Sequence, residues 1–302
     1  MAASLIRSHL FQDLEILQLK KNMRLGQTEE DKQFADWQRE VGHGKHTDVD
    51  GNVTLPPQFH CPDNTVSSLI ESIYPGIKEL PLPPDSYFAE RAILSARNDD
   101  VDELNARVLN DFPGETRVYH SADSIVNDGV DNAELLYPVE FLNSITASGL
   151  PLAKLTLKVG CPVMIMRNLN PTEGVCNGTR GVITRMTSCV LEVRMITGEN
   201  AGNLVFIPRL KIMPTDTAIS FQLCRLQFPV RLGFSMSINK GQGQSMAVVG
   251  CDLRSGVFTH GQFYVAVSRA TSIHRIKAIW NSNSEQAVTK NIVYPEVLLS
   301  EL

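Results

Sequence analysis

The chain has 302 residues, 43% of them hydrophobic, and a formal net charge of −5. That length suits two domains of ordinary size, and the apolar share is enough for a real core. No run of about 18 apolar residues occurs, so no membrane span is expected, and Ser4, Arg7, Ser8, His9 and Gln12 interrupt any secretory-signal layout.

In chain order, the apolar run Leu14 to Leu19 reads as a strand that delivers Lys21-Asn22-Met23-Arg24-Leu25 to its end. Thr28 followed by Glu29, Glu30 and Asp31 is a helix start, a capping residue with acids in the first turn, and Phe34 and Trp37 give that helix an apolar stripe. Gly42 to Gly51 ends it in a polar loop that holds His43, Lys45, His46 and Asp48. Arg91 to Ser95 is a short buried-type strand. Asn98, Asp99 and Asp100 then cap a helix whose apolar positions Val101, Leu104, Val108 and Phe112 recur at helical spacing until Pro113-Gly114. Strand then helix is the repeat of an α/β layer. From Lys154 to Phe228 the pattern changes to short strands at Val163–Met166, Gly181–Ile183, Leu191–Met195 and Leu204–Ile207, with turns at Asn177-Gly178, Thr197-Gly198 and Gly202-Asn203. This predicts a small β-barrel. The α/β pattern then returns, with a strand at Met246–Cys251, a helix over Gly261–Arg269 and a strand at Ile276–Trp280.

Charge follows the same division. Between Lys154 and Lys240 there are eleven Lys or Arg and four Asp or Glu, a local net of +7, which leaves −12 elsewhere. A basic block inside an acidic chain fits a segment that meets phosphate, and chance clustering on a solvated surface is the other reading. The six cysteines, at 61, 161, 176, 189, 224 and 251, form no Cys-x-x-Cys pair, and the seven histidines form no ligand-spaced cluster. Neither a zinc ribbon nor a dithiol redox motif is indicated, and the thiols are expected to be free in a reducing compartment.

Three stretches carry chemistry. Ser237 to Ser245 (Ser-Ile-Asn-Lys-Gly-Gln-Gly-Gln-Ser) stands directly before a strand; its glycines permit close approach of a ligand, and its Asn, Gln, Ser and Lys offer neutral and charged donors suited to a phosphate or sugar backbone. In His260 to Ser272, Gln262, Val265 and Arg269 fall near one helix face, and an arginine held by packed neighbours presents a planar, permanently charged fork that suits a γ-phosphate. Arg24 is the third feature, an arginine at a strand end. Each alone also reads as a polar turn or a surface arginine.

Together and in this order they resemble the helicases of the petite-integration-frequency (Pif) family, with the Helitron transposon helicases as the nearest branch. Asn239 to Ser245 is similar to that family's motif V, with Gly241 where Ser is usual and Ser245 where Thr is usual. Tyr264-Val-Ala-Val-Ser-Arg269 resembles motif VI, and Leu19 to Leu25 resembles motif IV. Lys158 to Leu169 and Cys176 to Arg180 resemble the inserted 2B barrel. The resemblance implies an α/β fold: a RecA-like, P-loop-NTPase-type second motor domain, residues 1–153 and 229–302, with an inserted SH3-like β-barrel at 154–228. It implies that Arg24 and Arg269 face the γ-phosphate of ATP and that Gln242 and Gly243 join the nucleotide and DNA sites. Asn239, Lys240, Gly241 and Ser245 would contact a single-stranded DNA backbone, with Arg167, Arg180 and Arg185 of the barrel as further strand contacts. It implies movement 5′ to 3′, and roles in DNA repair, recombination and telomere maintenance. An intracellular place, nuclear in a eukaryote, goes with these.

The resemblance also implies parts that this sequence does not display. Hydrolysis in the family needs Gly-x-x-x-x-Gly-Lys-Thr/Ser and an acidic pair for Mg²⁺. Gly42 to Thr47 only imitates it, since position 39 is Arg and His46 follows the lysine. The expectation is therefore the C-terminal part of a helicase, with its Mg²⁺ ligands and its first RecA-like domain outside this chain and without ATPase activity alone. A non-catalytic single-stranded nucleic-acid-binding module or a transposon-derived remnant is the alternative.

Overall fold

The structure is a computed structural model that describes residues 28–126, 137–147, 149–214, 221–282, 284 and 286–298, with positions 8, 11, 14, 15, 17 and 26. Motif IV, Leu19 to Leu25 with Arg24, lies outside the described residues. Among the described residues the helices are α1 (Glu29–Gly42), α2 (Val66–Ile73), α3 (Asp85–Ala89), α4 (Asn98–Asp111), α5 (Val139–Ser144) and α6 (Gln262–Val267). The strands are β1 (Asn52–Thr54), β2 (Arg91–Ser95), β3 (Arg117–His120), β4 (Ala122–Val126), β5 (Lys154–Leu157), β6 (Pro162–Ile165), β7 (Arg180–Met186), β8 (Val190–Met195), β9 (Leu204–Pro208), β10 (Leu210–Ile212), β11 (Gln222–Gln227), β12 (Val230–Leu232), β13 (Ser235–Ser237), β14 (Val248–Leu253), β15 (Ile276–Trp280) and β16 (Val288–Lys290). They fall into two compact units. One comprises the residues up to Pro75, Glu90–Asp102 and Met236 onward, and the other comprises Gly76–Ala89 and Glu103–Ser235.

The first unit is built on a four-stranded sheet in the order β13-β2-β14-β15. β14 runs parallel to both neighbours, with Cys251 opposite Leu94 and Ala278. The central strand reads as a near-continuous apolar run because a parallel strand is covered on both faces. Gly250 in β14 shows how close that cover is. A Cβ there would lie 2.9 Å from Ile73 and 3.0 Å from Ile93, so α2 packs directly on the strand backbone. α2 supplies Val66, Leu69, Ile70 and Ile73 as its buried face, started by the Thr65 side chain accepting from the Ser68 N–H. α1 begins with the expected Thr28 cap, completed by Asp31 as a capping box, and buries Phe34 and Val41. Trp37 stands edge-on to Phe59 and Phe263 at 5.6 and 6.4 Å.

The second unit holds a five-stranded antiparallel sheet in the order β12-β6-β7-β8-β9, a three-stranded sheet β10-β11-β4 and the pair β3-β5. This compact unit is larger than the 154–228 module read from the sequence. β3 and β4 come earlier in the chain but pair with β5 and β11, and β12 comes after Phe228 but pairs with β6. Its polar centre is Arg225, which is 1% exposed. The guanidinium meets the buried Asp123 carboxylate with two nitrogens, at 2.6 to 3.0 Å, and donates to the carbonyls of Leu142, Ile145 and Pro151. It thereby ties α5 and the chain after it to the β4-β11 pair.

Candidate nucleotide and strand interface

The sequence turns sharply between β13 and β14. Ile238–Gly241 forms one 3-10 turn with Ile238 and Gly241 buried, while Asn239, Lys240, Gln242, Gly243 and Ser245 are exposed. The turn is held by its own backbone: the Gln242 N–H donates to Asn239 O, and the Gln244 N–H donates to Gly241 O at 3.1 Å. Gly243 has φ +85°, a left-handed conformation that glycine adopts without a Cβ penalty. Gly241 is there for room as well. A Cβ on it would come 3.2 Å from Leu94 Cδ2, so a serine at this position would press on the end of β2.

The strand after the turn begins two residues later than the apolar run suggests. Met246 belongs to an isolated parallel bridge with Ala270, its N–H donating to Arg269 O at 3.1 Å. The end of the turn and Arg269 therefore meet beside the start of β14. Chain connectivity explains this: the turn feeds β14 directly, and α6 runs back so that it ends beside the start of that strand.

Arg269 lies just past α6 rather than on its face, because the helix closes at Val267 and Ser268 is its cap. It is 6% exposed. Its Nε donates back to Val265 O at 2.9 Å, one terminal nitrogen to Ser268 Oγ at 2.7 Å, and the other to Gln244 O at 3.2 Å. Ser268 Oγ itself donates to Val265 O. The last of the arginine's bonds crosses from the helix end to the turn. α6 is in turn held on α1 by the buried Gln38, whose Nε2 donates to Val267 O at 2.8 Å.

The structure thus brings Arg269, Gln244 and the Asn239–Ser245 turn together. The parts of Ser268, Gln244 and Gln38 escaped the sequence reading. Ser268 and Gln244 lie inside the two motifs, but neither their spacing nor their type says that one takes the guanidinium by its hydroxyl and the other by its backbone. Gln38 carried no signal at all, because its partner is 229 residues away.

The three barrel arginines separate. Arg185 is exposed on β7, opposite Glu192 in register. Arg167 is half-buried and donates to Met213 O at 3.2 Å. Arg180 is a correction: it is 0% exposed and donates to Gly233 O inside the second unit, so it is a core residue and not a strand contact. Lys158 and Arg225 of the same basic block are likewise buried and bonded internally. Among the described residues no three His, Cys, Asp or Glu gather to hold a metal ion, and no helix is long and apolar enough to cross a membrane.

Residues 140–186 match the family model described as the DNA helicase Pif1 2B domain. The human ATP-dependent DNA helicase PIF1 is 30% identical over 190 residues, 62% of this chain and 26% of that protein. This chain thus spans about a quarter of that relative's length. The crystal structure of Pif1 helicase from Candida albicans aligns with a TM-score of 0.60 at 23% identity, covering 97% of this chain and 62% of that one. That of the Pif1 helicase from Bacteroides in complex with ADP-AlF3 and ssDNA aligns at 0.56 and 21% identity, covering 92% and 54%. The fold is mixed α/β, a RecA-like unit carrying a 2B domain, as in those structures. With the Asn239–Ser245 turn and Arg269 meeting at one place and residues 140–186 matched by the 2B-domain model, the chain is similar to part of the Pif1-type DNA helicases.

Proposed function

We propose that the chain is the second motor domain, with its 2B module, of an ATP-dependent DNA helicase that moves 5′ to 3′ on a single strand. The observation that supports this reading is the bond from Arg269 to Gln244 O, since it physically joins the arginine after α6 to the Asn239–Ser245 turn. On this reading ATP with Mg²⁺ binds mainly to a first RecA-like domain outside this chain. Arg269 and Arg24 face its terminal phosphate and stabilise negative charge there. Gln242 and Gly243 stand between the two ligands. Asn239, Lys240 and Ser245, exposed on the turn, hold the strand's backbone, with Gly241 giving a backbone N–H only, and Arg167 and Arg185 lie further along it. A nuclear place in a eukaryote follows from the same reading.

ATP turnover by the chain alone is expected to be absent, and turnover that disappears on Arg269→Ala would overturn the division of labour. In one polypeptide with a first RecA-like domain, Arg269→Ala is expected to lower turnover by roughly a thousand-fold or more. Strand affinity should stay near that of the parent. If instead the chain binds single strands and no added domain yields turnover, it is a binding module.

A further inference from the structure

The buried face of α1 carries a polar residue where its spacing calls for an apolar one. Phe34, Gln38 and Val41 follow one another at i, i+4 and i+7, and all are buried. Phe34 and Val41 need nothing but burial. A buried amide needs a partner, and Gln38 is 6% exposed. Its Nε2 donates to Val267 O at 2.8 Å.

Val267 is the last residue of α6, a helix of six residues. The last four carbonyls of any helix have no partner within it. Here three of them are met by the two residues that follow. Tyr264 O accepts from the Ser268 N–H at 2.9 Å, Ala266 O from the Arg269 N–H at 3.3 Å, and Val265 O from Arg269 Nε and Ser268 Oγ. The fourth, Val267 O, is met from α1 by Gln38. That carbonyl and the Ser268 N–H belong to one planar peptide unit. Gln38 holds one edge of the plane and Tyr264 O holds the other, so the two fix the direction in which the chain leaves α6. The place of Ser268 Oγ, which takes an Arg269 nitrogen at 2.7 Å, and the place of the Arg269 backbone both follow from that plane. A hydrocarbon at position 38 would fill the same space and leave the plane held on one edge.

We propose that Gln38 is a positioning residue for Arg269: by clamping the Val267 carbonyl, its amide sets the place from which the guanidinium reaches its ligand. The proposal rests on the reading above, in which that ligand is the terminal phosphate of ATP. It adds a residue of α1 that the reading assigns to neither nucleotide nor strand.

The test is nuclear magnetic resonance of the whole ¹⁵N-labelled chain, followed on the Arg269 Nε–H signal, which is assigned by its loss in Arg269→Lys. Gln38→Met keeps the length of the side chain and removes the donor. It is expected to shift that signal and to speed its exchange with water about ten-fold, the equivalent of one lost hydrogen bond. Trp37→Phe disturbs the same pair of helices at Phe263 without touching the carbonyl, and should leave the signal near its parent position. Equal effects of the two variants, or none from Gln38→Met, reduce Gln38 to packing and overturn the proposal. If Gln38→Met does not fold by circular dichroism, Gln38→Glu, which as a carboxylate keeps the shape and lacks the donor, is read in its place. In the parent, a Gln38 side-chain amide that exchanges as fast as an exposed one overturns the proposal outright. In one polypeptide with a first RecA-like domain, Gln38→Met is expected to lower kcat by about ten- to a hundred-fold, with KM for ATP and strand affinity near the parent's. Unchanged kcat there, while Arg269→Ala removes turnover, also overturns the proposal. Turnover that survives Arg269→Ala defeats the reading of Arg269 instead, and the resonance result then judges Gln38 by itself.

Discussion

At the scale of single residues, burial decides what a charged or reactive group can do. Cys161 and Cys251 are fully enclosed, and burial pushes both thiols up to about 12, so neither supplies thiolate near neutral pH. Cys189 is exposed. Alkylation with iodoacetamide followed by mass spectrometry is expected to label Cys189 in the native chain, and Cys161 and Cys251 only after unfolding. Arg180 and Arg225 show the same rule for cations. Both count toward the basic block in the sequence, yet Arg180 is enclosed and Arg225 faces Asp123 with both side chains at or below 1% exposure. Removing one partner would strand a buried charge, so Arg225→Ala is expected to destabilise the second unit by about 3–5 kcal/mol, measured by urea unfolding.

At the scale of elements, local pattern and tertiary contact contributed differently. β2 and β15 were legible to the residue, and α4 was legible in the spacing of Val101, Leu104 and Val108, because a strand with an uninterrupted apolar run and a helix with a capped apolar stripe are local signals. β14 and α6 were displaced at their ends. Met246 looks like strand and Arg269 like helix, but each leaves its element to bond with the other's segment, a contact 23 residues apart in the chain. Gly250 marks the same limit, since nothing local says that α2 will rest on its Cα. Gly250→Val is expected to cost about 1–3 kcal/mol by overpacking, read as a lower thermal midpoint, while Gly114→Ala, with no neighbour within 4 Å of the added atom, should cost only its backbone strain at φ +103°.

At the scale of the whole molecule, both tryptophans, Trp37 and Trp280, belong to the first unit, while the Arg225–Asp123 pair lies in the second. Arg225→Ala is therefore expected to lower the midpoint seen by far-ultraviolet circular dichroism more than that seen by tryptophan fluorescence. Coincident shifts of equal size would show that the two units unfold as one. On the proposed reading the arginine and the turn that face nucleotide and strand both belong to the first unit.

The motifs of this chain were determined by its sequence, because each is a short run whose residue types are themselves the signal: Asn239 to Ser245, Tyr264 to Arg269, and the phrase from Lys158 to Leu169. The extent of the second unit and the fate of its charges were decided by tertiary structure. β3, β4 and β12 join that unit through strand pairing, which binds residues far apart in the chain and leaves no mark in local periodicity. Whether an arginine is spent or presented depends on which carbonyl, carboxylate or ring the fold places beside it. Composition counts Arg117, Arg180 and Arg225 alike, and only packing separates the two that are buried from Arg117, which is exposed.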